Sequence, residues 1–208
     1  MENLAPNNKR IVKNTLLLYV RMLFLMVVSL YTSRVVLNAL GIEDFGIYNV
    51  VGGMVAMFSM LSGSLSAAIT RFITYELGRG DREKLRTIFS SAVTIQLGLA
   101  AIIIILAEVL GIWFLNSKMT IPLDRLAAAN WVFQFSVLTF AINLVSVPYN
   151  ASIIAHERMS AFAYISIFEA VGKLAIAYLI TISPIDRLVF YAILMCAVAL
   201  IVRFTYGI

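Results

Sequence analysis

The sequence predicts an all-α integral membrane protein of six transmembrane helices. Of its 208 residues, 62% are hydrophobic and only 13% are charged, whereas a soluble domain is about half apolar and about a quarter charged. A helix that spans a membrane needs about 20 mostly apolar residues. Six stretches meet this length, at about residues 14–37, 47–70, 88–107, 127–147, 160–181 and 188–206. They occupy most of the chain and leave no room for a soluble domain.

The first predicted helix carries two arginines at different depths. If it begins near Ile11, Arg21 lies about 15 Å along the axis, in the middle of a hydrocarbon core about 30 Å thick. Arg34 lies at the outer end, where its long side chain can reach water. A charge facing lipid at mid-depth costs at least about 2.5–3.5 kcal/mol. We therefore expect Arg21 to face a wet cavity or an acid such as Glu169, in either a structural or a functional role.

A short turn around Gly41 is predicted to join the first and second helices. Glycine tolerates the left-handed conformation that often ends a helix, so Gly41 is expected to stop the first one. Glu43 and Asp44 follow, and acidic residues are favoured at the positive end of the next helix.

The second helix presents one face of small residues at spacings of three and four. These residues are Gly52, Ala56, Ser59, Gly63, Ser66 and Thr70. In lipid, small residues let helices approach closely. The face is therefore predicted to be a packing seam in preference to a ligand groove.

The connection between the second and third helices, RFITYELGRGDREKLRTIF, is too charged to cross a membrane. It places apolar residues at Ile73, Leu77, Leu85 and Ile88. We expect a surface segment at the cytoplasmic interface, broken at Gly78 and Gly80.

The basic residues in the loops predict the orientation, because Lys and Arg accumulate in cytoplasmic loops. The side that holds the N-terminus has nine of them, and the other side has four. The nine are Lys9, Arg10, Lys13, Arg71, Arg79, Arg82, Lys84, Arg86 and Arg158, and the four are Arg34, Lys118, Arg125 and Arg187. Both termini are therefore predicted to be cytoplasmic. The net charge of +5 then reflects topology and contact with anionic lipids, and no nucleic-acid partner is expected.

The third and sixth predicted helices carry no candidate chemistry. The third is apolar all round, as is typical of a span that faces lipid. The sixth contains the single cysteine, Cys196, and the single histidine, His156, lies in the loop before the fifth. These residues provide neither a disulfide nor a metal-ligand cluster, so neither a metal nor another cofactor is predicted.

The fourth predicted helix has a polar face. Ser136, Thr139, Asn143, Ser146 and Asn150 follow one another at spacings of three and four. Polar residues inside a bilayer usually face a partner helix or a water-filled cavity, and both interpretations stay open. Asn143 is a candidate substrate-binding residue. Pro148 is expected to kink or end this helix.

The fifth predicted helix carries Glu169 and Lys173 near its middle. The spacing of four, with the acid first, is the favourable order for an ion pair on a helix. The pair is either structural or part of the lining of a transport cavity.

Three segments together resemble a known family. They are SRVVLNALGIEDFGIYNVVGG, the basic connection that begins RFITYELGRGDREKLR, and VPYNASIIAHERMSAFAYI. The turn with Leu40, Gly41, Phe45, Gly46 and Tyr48 carries most of the likeness, with the sequence AHERM before the fifth helix. In order and spacing they resemble the polysaccharide (O-antigen type) flippases of the MOP superfamily, relatives of MATE exporters.

The resemblance implies a transporter built from two six-helix lobes around a central cavity. Such proteins move a polyprenyl-diphosphate-linked oligosaccharide across the cytoplasmic (inner) membrane by alternating access. We expect this chain to be the N-terminal lobe, residues 1–208, with a C-terminal lobe, membrane lipids and the lipid-linked substrate as partners. The coupling ion would be a proton or sodium. Arg21, Asn143, Glu169 and Lys173 are the candidate substrate-binding residues.

Three other functions compete with this one. One is a non-transporting assembly or scaffold protein, against which the polar face of the fourth helix argues weakly. A MATE-type drug or metabolite antiporter shares the scaffold but needs buried acids for a cationic substrate. The mid-membrane set here is Arg21, Lys173 and Glu169, two cations and one acid, which favours an anionic substrate. A membrane-embedded transferase would need clustered loop acids to hold a metal. The acids here are scattered, so no enzyme is predicted.

Overall fold

Every regular element in the described part of the chain is a helix. The computed structural model describes the backbone of residues 4–183 and 185–205, and within these ranges the side chains of all but residues 4–11, 13, 60 and 61. The side chains of Lys9, Arg10 and Lys13, which contribute to the charge count, thus lie outside the description. The helices are α1 (Leu4–Ala56), α2 (Ser59–Arg79), α3 (Arg82–Leu106), α4 (Ile112–Ser117), α5 (Leu126–Ala155), α6 (Met159–Leu179) and α7 (Arg187–Thr205). A π-helical turn (Ala107–Gly111) joins α3 to α4, and a 3-10 turn (Ile180–Ile182) follows α6.

Five helical segments of this described part are long and apolar enough to cross a membrane. They are Asn14–Ala56, Arg82–Ser117, Leu126–Ala155, Met159–Ile182 and Arg187–Thr205. The predicted all-α membrane fold is confirmed. The count differs from six because the predicted second helix, 47–70, is divided between the end of α1 and the start of α2 by a turn at Met57 and Phe58. The last residue predicted for the sixth helix, Tyr206, lies outside the described residues.

Gly41 kinks α1 at the point where the sequence predicts that the first helix stops. Its φ of 83° and ψ of 170° interrupt the helical conformation. A positive φ is strained for residues with a Cβ, so glycine is needed at this point. The helix before the kink and the helix after it can therefore take different directions and contact different neighbours.

The basic connection folds as the last turns of α2, a tight turn and the first turns of α3. The predicted break at Gly80 is confirmed, and the one at Gly78 is wrong. α2 continues through Gly78 to Arg79, and Gly80 caps it with a φ of 73°. Asp81 then caps α3 by accepting a hydrogen bond from the backbone N–H of Lys84 at 3.0 Å, which lowers the pKa of the carboxyl group. The apolar residues of the connection form a cluster with Ala151 of α5; they include Ile73, Leu77, Leu85 and Ile88.

α5 is the central helix of the core. One cluster joins its buried Ala129, Val132 and Phe133 to Val51 of α1 and Leu188 of α7, with other residues of these helices. The helix also continues through the buried Pro148 to Ala155, so of the two predicted effects of this proline, a kink or an end, the end is wrong. Helices in membranes tolerate proline because neighbouring groups compensate for the lost backbone hydrogen bond.

The small-residue face of the predicted second helix is not a packing seam. The turn at Met57 and Phe58 divides it, and Gly63 is exposed. No described atom lies within 4 Å of the position that a Cβ would take at Gly52 or Gly63. The close approach occurs at Gly111 instead, where a Cβ would overlap the ring of Phe133. Spacing alone identifies small residues, but it does not show which of them contact another helix.

Gly111→Ala is expected to destabilise the protein by about 1–3 kcal/mol, the usual cost of overpacking a filled core. Phe133 is only 2% exposed, so its ring has little room to move away. Gly63→Ala is the matched control and should change the free energy of unfolding little. Unfolding by SDS titration in mixed micelles measures both. Equal losses in the two variants would contradict the assignment of Gly111 as the close contact.

Candidate functional site

A pocket of about 400 Å³ lies between α1 and α6. The part of α1 before the kink contributes Arg21, and the part after it contributes Tyr48 and Asn49. α6 contributes Glu169 and Lys173. Three of the four predicted site residues are therefore brought together in one cavity, and we call it the arginine pocket.

α6 is held against α1 by apolar packing and by a hydrogen bond between two tyrosines. Val36 and Ala39 of α1 form a buried cluster with Ile176 and Ala177 of α6. The hydroxyl groups of Tyr31 and Tyr178 form a hydrogen bond of 2.7 Å between the same helices. This packing brings Arg21 to the face of α6.

Arg21 lies over an aromatic ring at one edge of the arginine pocket. The central carbon of its guanidinium group is 4.1 Å from the centre of the Phe162 ring, within the range of a cation–π interaction. A cation over the face of an aromatic ring is attracted by the electron density of that face. The sequence analysis expected Arg21 to face a cavity or an acid, and the side chain lines the arginine pocket.

Glu169 and Lys173 form the ion pair that their spacing predicts. Lys173 Nζ is 2.6 Å from Glu169 Oε1, and the side chains are 42% and 35% exposed. Ion pairs with this much exposure contribute little to stability. With Arg21, the arginine pocket holds two formal positive charges and one negative charge, so its polar wall favours an anion.

The sequence analysis missed the hydroxyl groups of this pocket. Ser29, Thr32 and Ser33 of α1 and Ser166 of α6 also line it. The three residues of α1 follow Arg21 at helical spacing, and that recurrence is the signal that could have identified them. They give the pocket neutral hydrogen-bonding groups beside its charges.

Asn143 lies in a neighbouring groove. Ser136, Thr139 and Asn143 of α5 face Gly52, Ala56 and Ser59 across a space of about 270 Å³. Tyr48 lines both cavities, and its ring packs edge-on against that of Tyr191 with centres 4.7 Å apart. The polar face of α5 thus faces a groove along part of its length, and one tyrosine pair separates this groove from the arginine pocket.

Comparison with known proteins identifies the family of this chain. The model of the family described as MatE matches residues 19–179, more than half of the chain. The chain belongs to the MatE family. The match includes Arg21, Asn143, Glu169 and Lys173. MatE proteins are membrane transporters, which agrees with a multi-pass chain that has polar cavities between its helices.

A curated relative gives a weaker likeness. The chain is 22% identical over 124 residues to the uncharacterized membrane protein EpsK of Bacillus subtilis (strain 168). The match covers 60% of this chain and 24% of EpsK, so the chain spans well under half of that relative. No solved structure matches the chain.

A charged network at one end of this MatE chain was also missed by the sequence analysis. Arg125, in the connection before α5, donates to Asp44 Oδ2 at 3.0 Å and to Asp186 Oδ2 at 2.5 Å. Burial acts to lower the pKa of Arg125, but the two carboxylates outweigh it and raise the pKa, so the guanidinium stays charged. Asp186 Oδ1 accepts hydrogen bonds from the backbone N–H groups of Leu188 and Val189 and so caps α7.

The residues described here hold no group of three or more His, Cys, Asp or Glu side chains that could bind a metal ion. Cys196 is buried. His156 makes a local contact, with Nδ1 2.8 Å from the carbonyl oxygen of Ser152. The polar chemistry of the two cavities therefore comes from arginine, lysine, carboxylate, amide and hydroxyl groups.

Lys173→Glu should lower the free energy of unfolding by about 0.5–1 kcal/mol, because it replaces a partly exposed ion pair with two like charges one turn apart. The double variant Glu169→Lys with Lys173→Glu restores opposite charges and should recover most of the loss. SDS titration of the single and double variants measures the coupling. Additive losses would contradict an energetic interaction between the two side chains.

Proposed function

We propose that this chain forms the N-terminal lobe of a transporter that flips a polyprenyl-diphosphate-linked oligosaccharide across the cytoplasmic membrane, for polysaccharide or O-antigen biosynthesis. The observation that carries the proposal is the arginine pocket, where two cations and one acid meet between membrane-spanning helices. A diphosphate that crosses a bilayer needs positive groups along its path, since an unpaired charge is expensive in hydrocarbon.

Arg21 is the proposed anchor for the diphosphate. A guanidinium group binds phosphate oxygens through two parallel hydrogen bonds. The face of its plane is occupied by Phe162, which would fix the orientation of the donors. Lysine carries the same charge without this planar fork. Arginine at this position is therefore better suited to phosphate than lysine.

Lys173 and Glu169 are proposed to link substrate binding to an ion. In the structure Glu169 neutralises Lys173 at 2.6 Å. A proton or sodium ion on Glu169 would release the ammonium group of Lys173 for a second phosphate contact. Either ion would then change the affinity of the pocket for substrate, and such a linkage between two binding events can couple ion movement to transport.

Asn143 is the proposed contact for the sugar. It lines the neighbouring groove with Ser136 and Thr139, and amide and hydroxyl groups are suitable partners for sugar hydroxyls. Since Tyr48 lines both cavities, a diphosphate at Arg21 would place the attached sugar near Asn143.

The charge of the arginine pocket disfavours the alternative of a MATE-type antiporter for cationic drugs or metabolites. Such a substrate needs an acid that is free to receive it, and Glu169 is already paired. We further propose an orientation with both termini in the cytoplasm, with surrounding lipids and a C-terminal lobe as partners. The loop charges and the resemblance of the sequence motifs support this arrangement.

Arg21→Ala should reduce flipping of the lipid-linked oligosaccharide by about ten- to a hundredfold, the factor expected when a hydrogen-bonded charge contact is lost. Arg21→Lys should have an intermediate effect because it keeps the charge and loses the fork. The measurement is export of the polysaccharide by cells that produce the complete transporter, at matched levels of membrane-inserted protein.

Arg34→Ala is the matched control, since Arg34 lies on the same helix and is exposed. It should leave export unchanged. Normal export by the Arg21→Ala variant would contradict the proposed diphosphate contact. Export of an organic cation by the unmodified protein, with no flipping of the lipid-linked substrate, would favour the antiporter.

A further inference from the structure

A third cavity, of about 670 Å³, lies at the turn between α2 and α3 and beside the end of α5. Its apolar wall consists of Ile73, Leu77, Leu85 and Phe89. Its charged residues are Glu76, Asp81, Arg82 and Arg86. The cavity lies apart from the arginine pocket, and no lining residue is common to the two. We call it the turn pocket.

Glu76 is the buried acid of the turn pocket. Glu76 is only 8% exposed, and its Oε2 atom is buried without a hydrogen-bond partner among the described residues. It lies in the last turn of α2, where its carbonyl oxygen accepts a hydrogen bond from Gly80 N–H at 3.0 Å. The C-terminal end of a helix is negative and does not stabilise a carboxylate. A positively charged donor in the pocket would compensate this group.

The other acid of the pocket is already satisfied. Asp81 Oδ1 accepts a hydrogen bond from Lys84 N–H at 3.0 Å, and its Oδ2 is 3.5 Å from Lys84 Nζ. Glu76 is therefore the acid that remains for a ligand.

Arg82 and Arg86 supply positive charge at the rim. They are four residues apart on α3, so both lie on one face of the helix, and both are exposed. Neither guanidinium group forms an ion pair with another residue in the described part of the chain. The turn pocket thus offers a buried site for an ammonium group, an exposed site for a phosphate, and an apolar wall between its helices.

We propose that the turn pocket binds the headgroup of an aminophospholipid. The primary ammonium group donates to Glu76, the phosphate contacts Arg82 and Arg86, and the first carbons of the acyl chains pack on Leu77, Leu85 and Phe89. Binding at all three places requires one molecule that carries an ammonium group, a phosphate and an apolar tail. The basic loops predict that this end of the bundle lies at the cytoplasmic face, where headgroups of the inner leaflet are present.

Lipid selectivity of the unmodified protein is the first test. The delipidated protein is mixed with equal amounts of phosphatidylethanolamine, phosphatidylcholine and phosphatidylglycerol, and retained lipid is measured by native mass spectrometry. Phosphatidylcholine differs in its quaternary ammonium, which has no N–H to donate, and phosphatidylglycerol lacks an amine. Phosphatidylethanolamine should be retained at least about tenfold more strongly than either, the factor expected for a charge-assisted hydrogen bond. Equal retention of the three lipids would overturn the proposal.

Two pairs of variants test the residues. Glu76→Gln should abolish the preference for phosphatidylethanolamine over phosphatidylcholine, whereas Glu83→Gln, an exposed acid at the start of α3 that does not line the pocket, should keep it. Arg86→Gln should weaken retention of phosphatidylethanolamine, and Arg71→Gln, an exposed arginine outside the pocket, should not. An unchanged preference in Glu76→Gln would contradict the contact assigned to Glu76, and unchanged retention of phosphatidylethanolamine in Arg86→Gln would contradict the contact assigned to Arg86.

A soluble headgroup separates a lipid from a free zwitterion. Glycerophosphoethanolamine carries both charges and has no acyl chains, so it should compete at least about tenfold more weakly than the lipid. Equally strong competition would overturn the assignment to a lipid. All of these measurements follow lipid binding alone, so their failure leaves the transport proposal unaffected.

Discussion

Arg125 connects three parts of the chain through one guanidinium group. It contacts Asp44, three residues after the Gly41 kink, and Asp186, the residue that caps α7. Arg187 adds a hydrogen bond of 3.2 Å to the carbonyl oxygen of Ala39, just before the kink. Because Asp44 is only 5% exposed, its carboxylate needs a positively charged partner. The start of α5, the start of α7 and both sides of the kink must therefore meet at this end of the bundle.

The two cavities between the membrane-spanning helices follow from that constraint. Before the kink, α1 packs on α6 and places Arg21 beside Glu169 and Lys173. After the kink, α1 packs on α5 and α7, and Tyr48 separates the arginine pocket from the groove of Asn143. The part of α1 before the kink lines the arginine pocket alone, and the part after it lines both cavities. The kink therefore connects the packing of the fold with the positions of the proposed substrate groups.

Local features of this structure could be predicted from the sequence, and distant pairings could not. The ion pair of Glu169 and Lys173 depends on one helix, so periodicity was sufficient to predict it. The partners of Arg125 are 81 and 61 residues away along the chain, and no spacing rule pairs them. Gly111 shows the same limit, because its role depends on the ring of Phe133 on another helix. The prediction of a packing seam at Gly63 was wrong because spacing along one helix does not show which residues of another helix lie nearby.

The contribution of Arg125 can be measured directly by comparing Arg125→Gln with Lys118→Gln. Both variants remove one positive charge from the connection between α4 and α5, but Lys118 lies 5.9 Å from the ring of Trp113 and forms no ion pair with a described residue. Arg125→Gln leaves Asp44 buried without its cation and should lower the free energy of unfolding by about 1–3 kcal/mol in SDS titration. Lys118→Gln should change it by less than about 0.5 kcal/mol. Equal, small changes in the two variants would contradict the view that Arg125 holds the kinked helix in place.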